Sequence, residues 1–421
     1  MAGGKKSIVI LGGGTGGTLT ANKLRKAYPR ELVDISVVDR SDGHCYQPGL
    51  LFVPFGKGKS KDLVRTRSAQ FRAGISYLDS EIDRVEAAKN RVYLKDGREL
   101  SYDVLVIATG ARLIPEETEG LLGPGWMEKV FTFYEPEGAD ALASALKAFD
   151  EGTIVVNIVD MPIKCPVAPL EFAFLADSYF KDRGIREKIR LVFVTPLDGA
   201  FTKPYASQHL GRMLTERGIE LVTEFNTAEV DGTAGRLVSY DGREVGFDLG
   251  VVIPLHGGAE YVGRSPGLGD ELDFVLTDEH TLQAKAFPNV FVIGDATNVT
   301  ASKAGSVAHF QGEVLVENIQ HYLAGEPLEE AFDGHANCFV ESGSGKALLI
   351  DFNYEVEPLP GRYPSTIGLP LLKESRINHW GKVLFERFYW HGLLPGRSVP
   401  GIGARMPLSG KIGVPVRERS V

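Results

Sequence analysis

Cysteine is scarce: three residues, Cys45, Cys165 and Cys338, in a chain of 421. So small a number excludes a disulfide-stapled scaffold and limits any redox dithiol to a single pair. Positive charge is in deficit too, with 46 Lys and Arg against 55 Asp and Glu and a net charge of −9. That balance argues against a dedicated nucleic-acid binder, which needs clustered bases to neutralise phosphates. No apolar run approaches the roughly 18 residues of a membrane span. Residues 1–6 lead straight into the apolar run 7–11, which is too short for a leader peptide and is followed by no cleavage site. The expectation is a cytoplasmic chain whose membrane contact is peripheral. Glycine, with 49 residues in all, is missing where a second phosphate-binding turn would need it, between Gly152 and Gly184.

What is present fits an α/β protein of two or three domains with full cores, at 43% hydrophobic residues. A strand over 7–11, a glycine turn, a helix to about residue 28 and a strand ending at Asp39 make a βαβ unit. The turn, Gly12-Gly13-Gly14-Thr15-Gly16-Gly17, satisfies G-x-G-x-x-G directly between strand and helix. Gly12, Gly14 and Gly17 permit the tight turn, the approach to a pyrophosphate and the helix–strand packing, and Thr15 opens a helix whose N-terminus faces the phosphates. Asp39, about 20 residues on, stands where an acid binds a ribose hydroxyl. Residues 41–75 read as an irregular excursion, 77–86 and 91–94 as a small meander, and 102–108 as a buried strand. A second βαβ pattern follows: strand 153–159, helix 166–182, strand 189–195 and helix 205–217, then strands 219–224, 236–240 and 251–255. A last apolar strand, 290–293, precedes a helix over 304–323.

Two later segments, Val104 to Gly110 and Asn289 to Asp295, resemble the accessory motifs of two-dinucleotide flavoprotein reductases. That resemblance implies FAD, held by Ala108, Thr109, Gly110 and Gly294, with Asp295 on the ribityl chain. Lys303 adds a fixed charge just before a helix whose N-terminus points at the flavin pyrimidine.

In the second half the turn reads Asp160-Met161-Pro162-Ile163-Lys164-Cys165-Pro166, with no glycine, and the next strand ends in Thr195-Pro196, with no ribose-binding acid. Hydride from a nicotinamide is therefore not the expected electron source. Cys165 at a helix start is expected to have a lowered pKa and to sit poised as a thiolate, a buried small hydrophobe being the alternative. Glu171, one and a half turns on, is either a proton acceptor or a solvated helix residue.

Together with the late Cys338, these motifs resemble the sulfide:quinone oxidoreductases, relatives of flavocytochrome c sulfide dehydrogenases and type II NADH dehydrogenases. The resemblance implies two tandem Rossmann-like domains of the glutathione-reductase type and a C-terminal amphipathic membrane-associating region. It divides the chain into 1–115 with 275–335 (FAD), 116–274 (degenerate for NAD) and 336–421 (redox cysteine, membrane and quinone). It also implies a Cys165–Cys338 disulfide that hydrosulfide attacks, with electrons passing through FAD to a quinone and sulfane sulfur or polysulfide leaving. The chain departs from many family members in lacking a third cysteine in 129–133; Cys45 lies elsewhere, and His209 is only a loose match for a family histidine. The alternatives are the flavoprotein subunit of a flavocytochrome c sulfide dehydrogenase, a type II NADH:quinone oxidoreductase, or a non-enzymatic flavin-bound sensor.

From Arg362 to Val421 there are ten basic and three acidic residues, a +7 tail on a −16 body. Trp380, Leu384 and Phe388 recur at helical spacing, with Lys382 and Glu386 on another face. A basic, aromatic, amphipathic helix suits an anionic membrane surface, and Phe385 and Tyr389 are placed at the quinone. Homo-oligomerisation is left open.

Overall fold

The structure, a computed structural model, describes residues 4–397 and 403–413. It opens with β1 (Lys6–Leu11), α1 (Thr15–Ala27) and β2 (Val33–Asp39), then a small antiparallel hairpin of β3 (Gly43–Cys45) and β4 (Val64–Thr66). Next come β5 (Ile75–Asp79) and β6 (Val104–Ile107). The second half contains β7 (Val130–Phe131), α2 (Pro136–Ala148), β8 (Gly152–Ile158), α3 (Ala168–Asp182), β9 (Ile189–Val194), α4 (Pro204–Glu216), β10 (Ile219–Val222) and β11 (Leu249–Ile253). The chain then returns through β12 (Val290–Val292) and α5 (Gly305–Ala324) to a hairpin of β13 (Ala336–Gly343) and β14 (Lys346–Phe352). A hairpin of Gly361–Pro364 and Gly368–Leu371 leads to the last helix, α6 (Arg376–Phe388).

Two five-stranded parallel sheets organise these elements. The first has the order β12-β6-β1-β2-β5 and the second β7-β11-β8-β9-β10. Each is buried on both faces, which is why its strands are near-continuous Val, Ile and Leu: β6 and β11 are buried at every position. A three-stranded antiparallel meander accompanies each half, over Ile82–Glu86, Arg91–Leu94 and Glu99–Ser101 in one and Thr227–Asp231, Arg236–Ser239 and Glu244–Gly246 in the other. The fold is thus α/β with tandem Rossmann-like sheets.

The stretch read as one strand over 77–86 is two. Ile75–Asp79 joins the first parallel sheet beside β2, and the chain turns where the Ser80 amide donates to the Asp39 carbonyl (3.0 Å) before the meander begins. A half-exposed edge strand and a meander strand alternate alike, so periodicity does not separate them. The excursion over 41–75 is no loose loop. Its 3-10 stretch Gln47–Phe55 buries Leu50, Leu51, Val53 and Phe55, with the Phe55 ring 5.0 Å from Phe172 of α3.

Candidate active site

At the end of β1 the chain turns through Gly12 at φ +92, where a Cβ would lie 2.4 Å from the Ala108 carbonyl oxygen. Two residues of the turn are held from β2, the Gly12 amide donating to the Val38 carbonyl (2.8 Å). The Gly13 amide donates to the Asp39 carboxylate (2.7 Å), and Arg67 pairs with the same carboxylate. α1 begins at Thr15 with no side-chain cap and no acid in its first turn, so its leading N–H groups stay available. Ala108, Thr109 and Gly110 follow β6 beside this turn; Thr109 lies within hydrogen-bond reach of the Tyr261 hydroxyl (3.3 Å).

At the end of β12 the Gly294 amide is held by the Gln311 side chain (2.7 Å). The half-buried Asp295 carboxylate has no hydrogen-bond partner among the described residues; burial pushes its pKa up, against Lys303 and Lys164. Lys303 donates its Nζ to the carbonyls of Asp295 (3.0 Å) and Thr297 (2.7 Å), and burial lowers it to about 8.

Both segments that carry the thiols, the loop before α3 and β13, meet the chain at the start of α5. The Cys165 amide donates to the Lys303 carbonyl (2.6 Å), and its own carbonyl accepts from the Tyr134 hydroxyl (3.1 Å). Ser306, on the first turn of α5, donates to the Asn337 carbonyl (2.6 Å) and lowers the pKa of neighbouring Cys338 on β13. Cys338 feels the charge of Cys165, which raises its pKa. Both cysteines are free thiols, as is Cys45.

The expected thiolate at Cys165 is not what this environment favours. α3 starts only at Ala168, so the thiol precedes the helix at φ +46 instead of capping it. Burial, then the Glu171 carboxylate, push its pKa up to about 12; Lys382 and the Ala168 amide oppose them without prevailing. Desolvation outweighs the helix dipole. Burial raises Cys338 as well.

Glu171 is not a solvated helix residue. It is fully buried, accepts the Glu341 amide (2.6 Å) and pairs with Lys382 of α6. Its second oxygen, Oε2, is buried with no partner among the described residues. Burial works against the Lys382 ammonium, but Glu171, Cys165 and Glu341 together push its pKa up. His379, one turn earlier on α6, binds the buried Glu341 carboxylate (2.9 Å). Lys382 therefore points into the protein, on the face apart from Trp380 and Leu384. Trp380 and Leu384, both 60% exposed, point out.

A pyridine nucleotide-disulphide oxidoreductase family model matches residues 6–158. A mitochondrial sulfide:quinone oxidoreductase of Dictyostelium discoideum is 30% identical over 395 residues, covering 93% of this chain and 86% of the relative. The chain belongs to the sulfide:quinone oxidoreductase family. A second mitochondrial sulfide:quinone oxidoreductase, from Mus musculus, is 27% identical and covers 91% of this chain and 87% of its own. The crystal structure of the Aquifex aeolicus sulfide:quinone oxidoreductase shares the fold at a TM-score of 0.77, with 20% identity over 93% of this chain and 92% of that one.

Within this sulfide:quinone oxidoreductase family member, several sequence candidates sit elsewhere than expected. The Tyr389 hydroxyl, expected at a quinone, is buried at the glycine turn against Thr15 (2.8 Å) and His44 (2.6 Å). Phe385 is half-buried, its ring 6.0 Å from Phe388. His209 lies on α4 among Arg212, Glu216 and Glu374, none of them in the thiol cluster. Lys411, one of the ten basic residues of the tail, is buried against Asp351. Arg417, Glu418 and Arg419 fall outside the described residues. His256 was not singled out: fully buried, edge-on to Tyr134 at 5.5 Å, it is held near pKa 3 by burial and Lys164. Its only sequence signal is a histidine just past an apolar strand.

Proposed function

We propose that this protein oxidises sulfide and passes the electrons to a membrane quinone. The observation that carries this reading is the placing of Cys165 and Cys338 together at the N-terminus of α5, beside a buried carboxylate–ammonium pair. FAD fits the residues present. A Cβ on Gly14 would meet nothing within 4 Å, α1 is uncapped, and the Asp295 carboxylate is unpartnered where a ribityl hydroxyl would lie. Gly12, Gly14, Thr15, Gly17 and Asp39 would hold its adenosine and phosphates, and Ala108, Thr109, Gly110, Gly294, Asp295 and Lys303 its flavin end.

Hydrosulfide attacks a Cys165–Cys338 disulfide. As the new sulfur–sulfur bond forms the old one breaks, leaving a persulfide on one cysteine and a thiolate on the other. The Lys382 ammonium, which lowers both thiols, stabilises that thiolate, and the free Oε2 of Glu171 takes the persulfide proton. Bound FAD supplies the chemistry the side chains lack, accepting the electron pair and handing it to quinone. The loop between β8 and α3 holds no glycine, so the second half offers no fingerprint for a nicotinamide dinucleotide.

Among the described residues no helix is long and apolar enough to cross a membrane. The exposed residues of α6 instead form one stripe, with Ile377, Trp380, Val383 and Leu384 between Arg376 and Arg387. That stripe suits an anionic lipid surface. Cys165→Ser and Cys338→Ser should each lower sulfide-dependent quinone reduction by on the order of a thousand-fold while FAD stays bound. Full activity in either variant overturns the dithiol reading.

A further inference from the structure

The tail does more than face outward. Past α6 the chain continues without a break into a wide helical turn, Tyr389–Leu393, laid along α1, the helix that follows the glycine turn. The Leu394 carbonyl accepts from Asn22 (2.7 Å), and Leu19, Tyr46, Tyr389, Trp390, Leu393 and Leu394 form a separate buried cluster. At its head, three polar groups make a chain into the turn: Thr15 Oγ1 to Tyr389 Oη at 2.8 Å, Tyr389 Oη to His44 Nε2 at 2.6 Å, and His44 Nδ1 to the Gly13 carbonyl at 3.2 Å.

The directions in that chain follow from what each group can do. The Gly13 carbonyl only accepts, so His44 Nδ1 carries the proton and donates. His44 is buried and neutral, its pKa lowered to about 4 by burial and then by Arg67, so Nε2 is an acceptor and takes the Tyr389 proton. Tyr389 then has only lone pairs left for Thr15, which donates. Thr18 Oγ1 also donates to the Gly13 carbonyl (2.9 Å). Two donors fix that oxygen on the protein side. In a planar trans peptide this turns the Gly14 N–H the opposite way, and a Cβ on Gly14 would meet nothing within 4 Å.

From this geometry we infer that Tyr389, acting through His44 and Thr15, is a positioning residue of the cofactor site: the C-terminal segment locks the glycine turn in the shape that receives a dinucleotide pyrophosphate. The inference rests on the reading that this turn binds FAD. It makes cofactor retention depend on a segment joined rigidly to the outward-facing helix.

The test is FAD affinity of the full-length apoprotein, read by quenching of flavin fluorescence, beside the apoprotein's melting temperature. Tyr389→Phe keeps the ring and removes the hydroxyl. It removes the hydrogen bonds to Thr15 and His44 and should weaken FAD binding about three- to ten-fold, with an apoprotein that melts a few degrees lower but is fully folded at the assay temperature. Thr15→Val should weaken it similarly, Thr15→Ser should restore it, and the double variant Tyr389→Phe/Thr15→Val should be no weaker than the worse single variant. Parental affinity in Tyr389→Phe, or losses that multiply in the double variant, overturns the inference. If Tyr389→Phe does not fold, failure of Thr15→Ser to exceed Thr15→Val overturns it equally. A parent protein that binds no FAD contradicts the cofactor reading itself, a result distinct from a parent that binds and is matched by its variants.

Discussion

A thiol buried beside a carboxylate is a poor nucleophile until a charge or a base intervenes. With its pKa near 12, Cys165 in the reduced protein holds about one thiolate in ten thousand at pH 8. Site-resolved alkylation should therefore run roughly a thousand-fold slower than for a free cysteine at that pH, and climb about tenfold per pH unit towards 12. Fast alkylation that levels off near pH 7 would mean that the helix end prevails over burial. The sign also bears on stability: a folded-state pKa raised above the ordinary thiol value costs stability from about pH 9 upward, as only the unfolded chain ionises. Lys382 is the counterweight. Removing it in Lys382→Met leaves Glu171 buried and uncompensated, an expected loss of about 3–5 kcal/mol in denaturant unfolding. Adding Glu171→Gln should recover most of that loss. A single variant as stable as its parent would mean that the pair carries no weight. Cys165 and Glu171 were legible in the sequence because a glycine turn was expected there and something else stood in its place. Lys382 was not legible: its partner lies 211 residues away, and nothing local distinguishes a lysine that turns inward from one on a solvated face.

At the scale of elements, local pattern is enough where hydrogen bonding and burial are repetitive. Eight of the ten strands in the two parallel sheets are readable to within about two residues, since strands buried on both faces are continuous apolar runs; the two-residue β7 and the half-exposed edge strand β5 are not. α2 was not read, though Pro136 at its first position and the spacing of Ala139, Leu142 and Leu146 mark it. The last helix shows why amphipathicity alone does not assign a face. α6 has an apolar stripe and a charged side, and here the charged side packs inward, because a buried carboxylate waits for it. Trp380→Glu and Leu384→Glu should each reduce binding to anionic vesicles about ten-fold, with stability changed by no more than about 0.5 kcal/mol at such exposed positions. Undiminished vesicle binding would take the stripe out of the membrane account.

Across the whole molecule, the two halves share a plan and differ in one turn. The first sheet ends in a glycine loop shaped for a dinucleotide; the second ends in a loop that delivers Cys165 to the start of α5. The tail joins them, with Lys382 reaching the thiols and Tyr389 reaching the glycine turn. Part of its +7 charge is consequently internal, since Lys382 and Lys411 are spent on Glu171 and Asp351. Such long-range pairings depend on tertiary packing and leave no periodic trace in sequence. The most direct measurement is anaerobic mixing of the purified, FAD-loaded protein with sulfide, followed by a soluble quinone, while flavin absorbance is recorded. The account predicts rapid bleaching by sulfide, full recovery on adding quinone, and no comparable bleaching by NADH. A flavin that sulfide leaves oxidised and NADH reduces at once would contradict it.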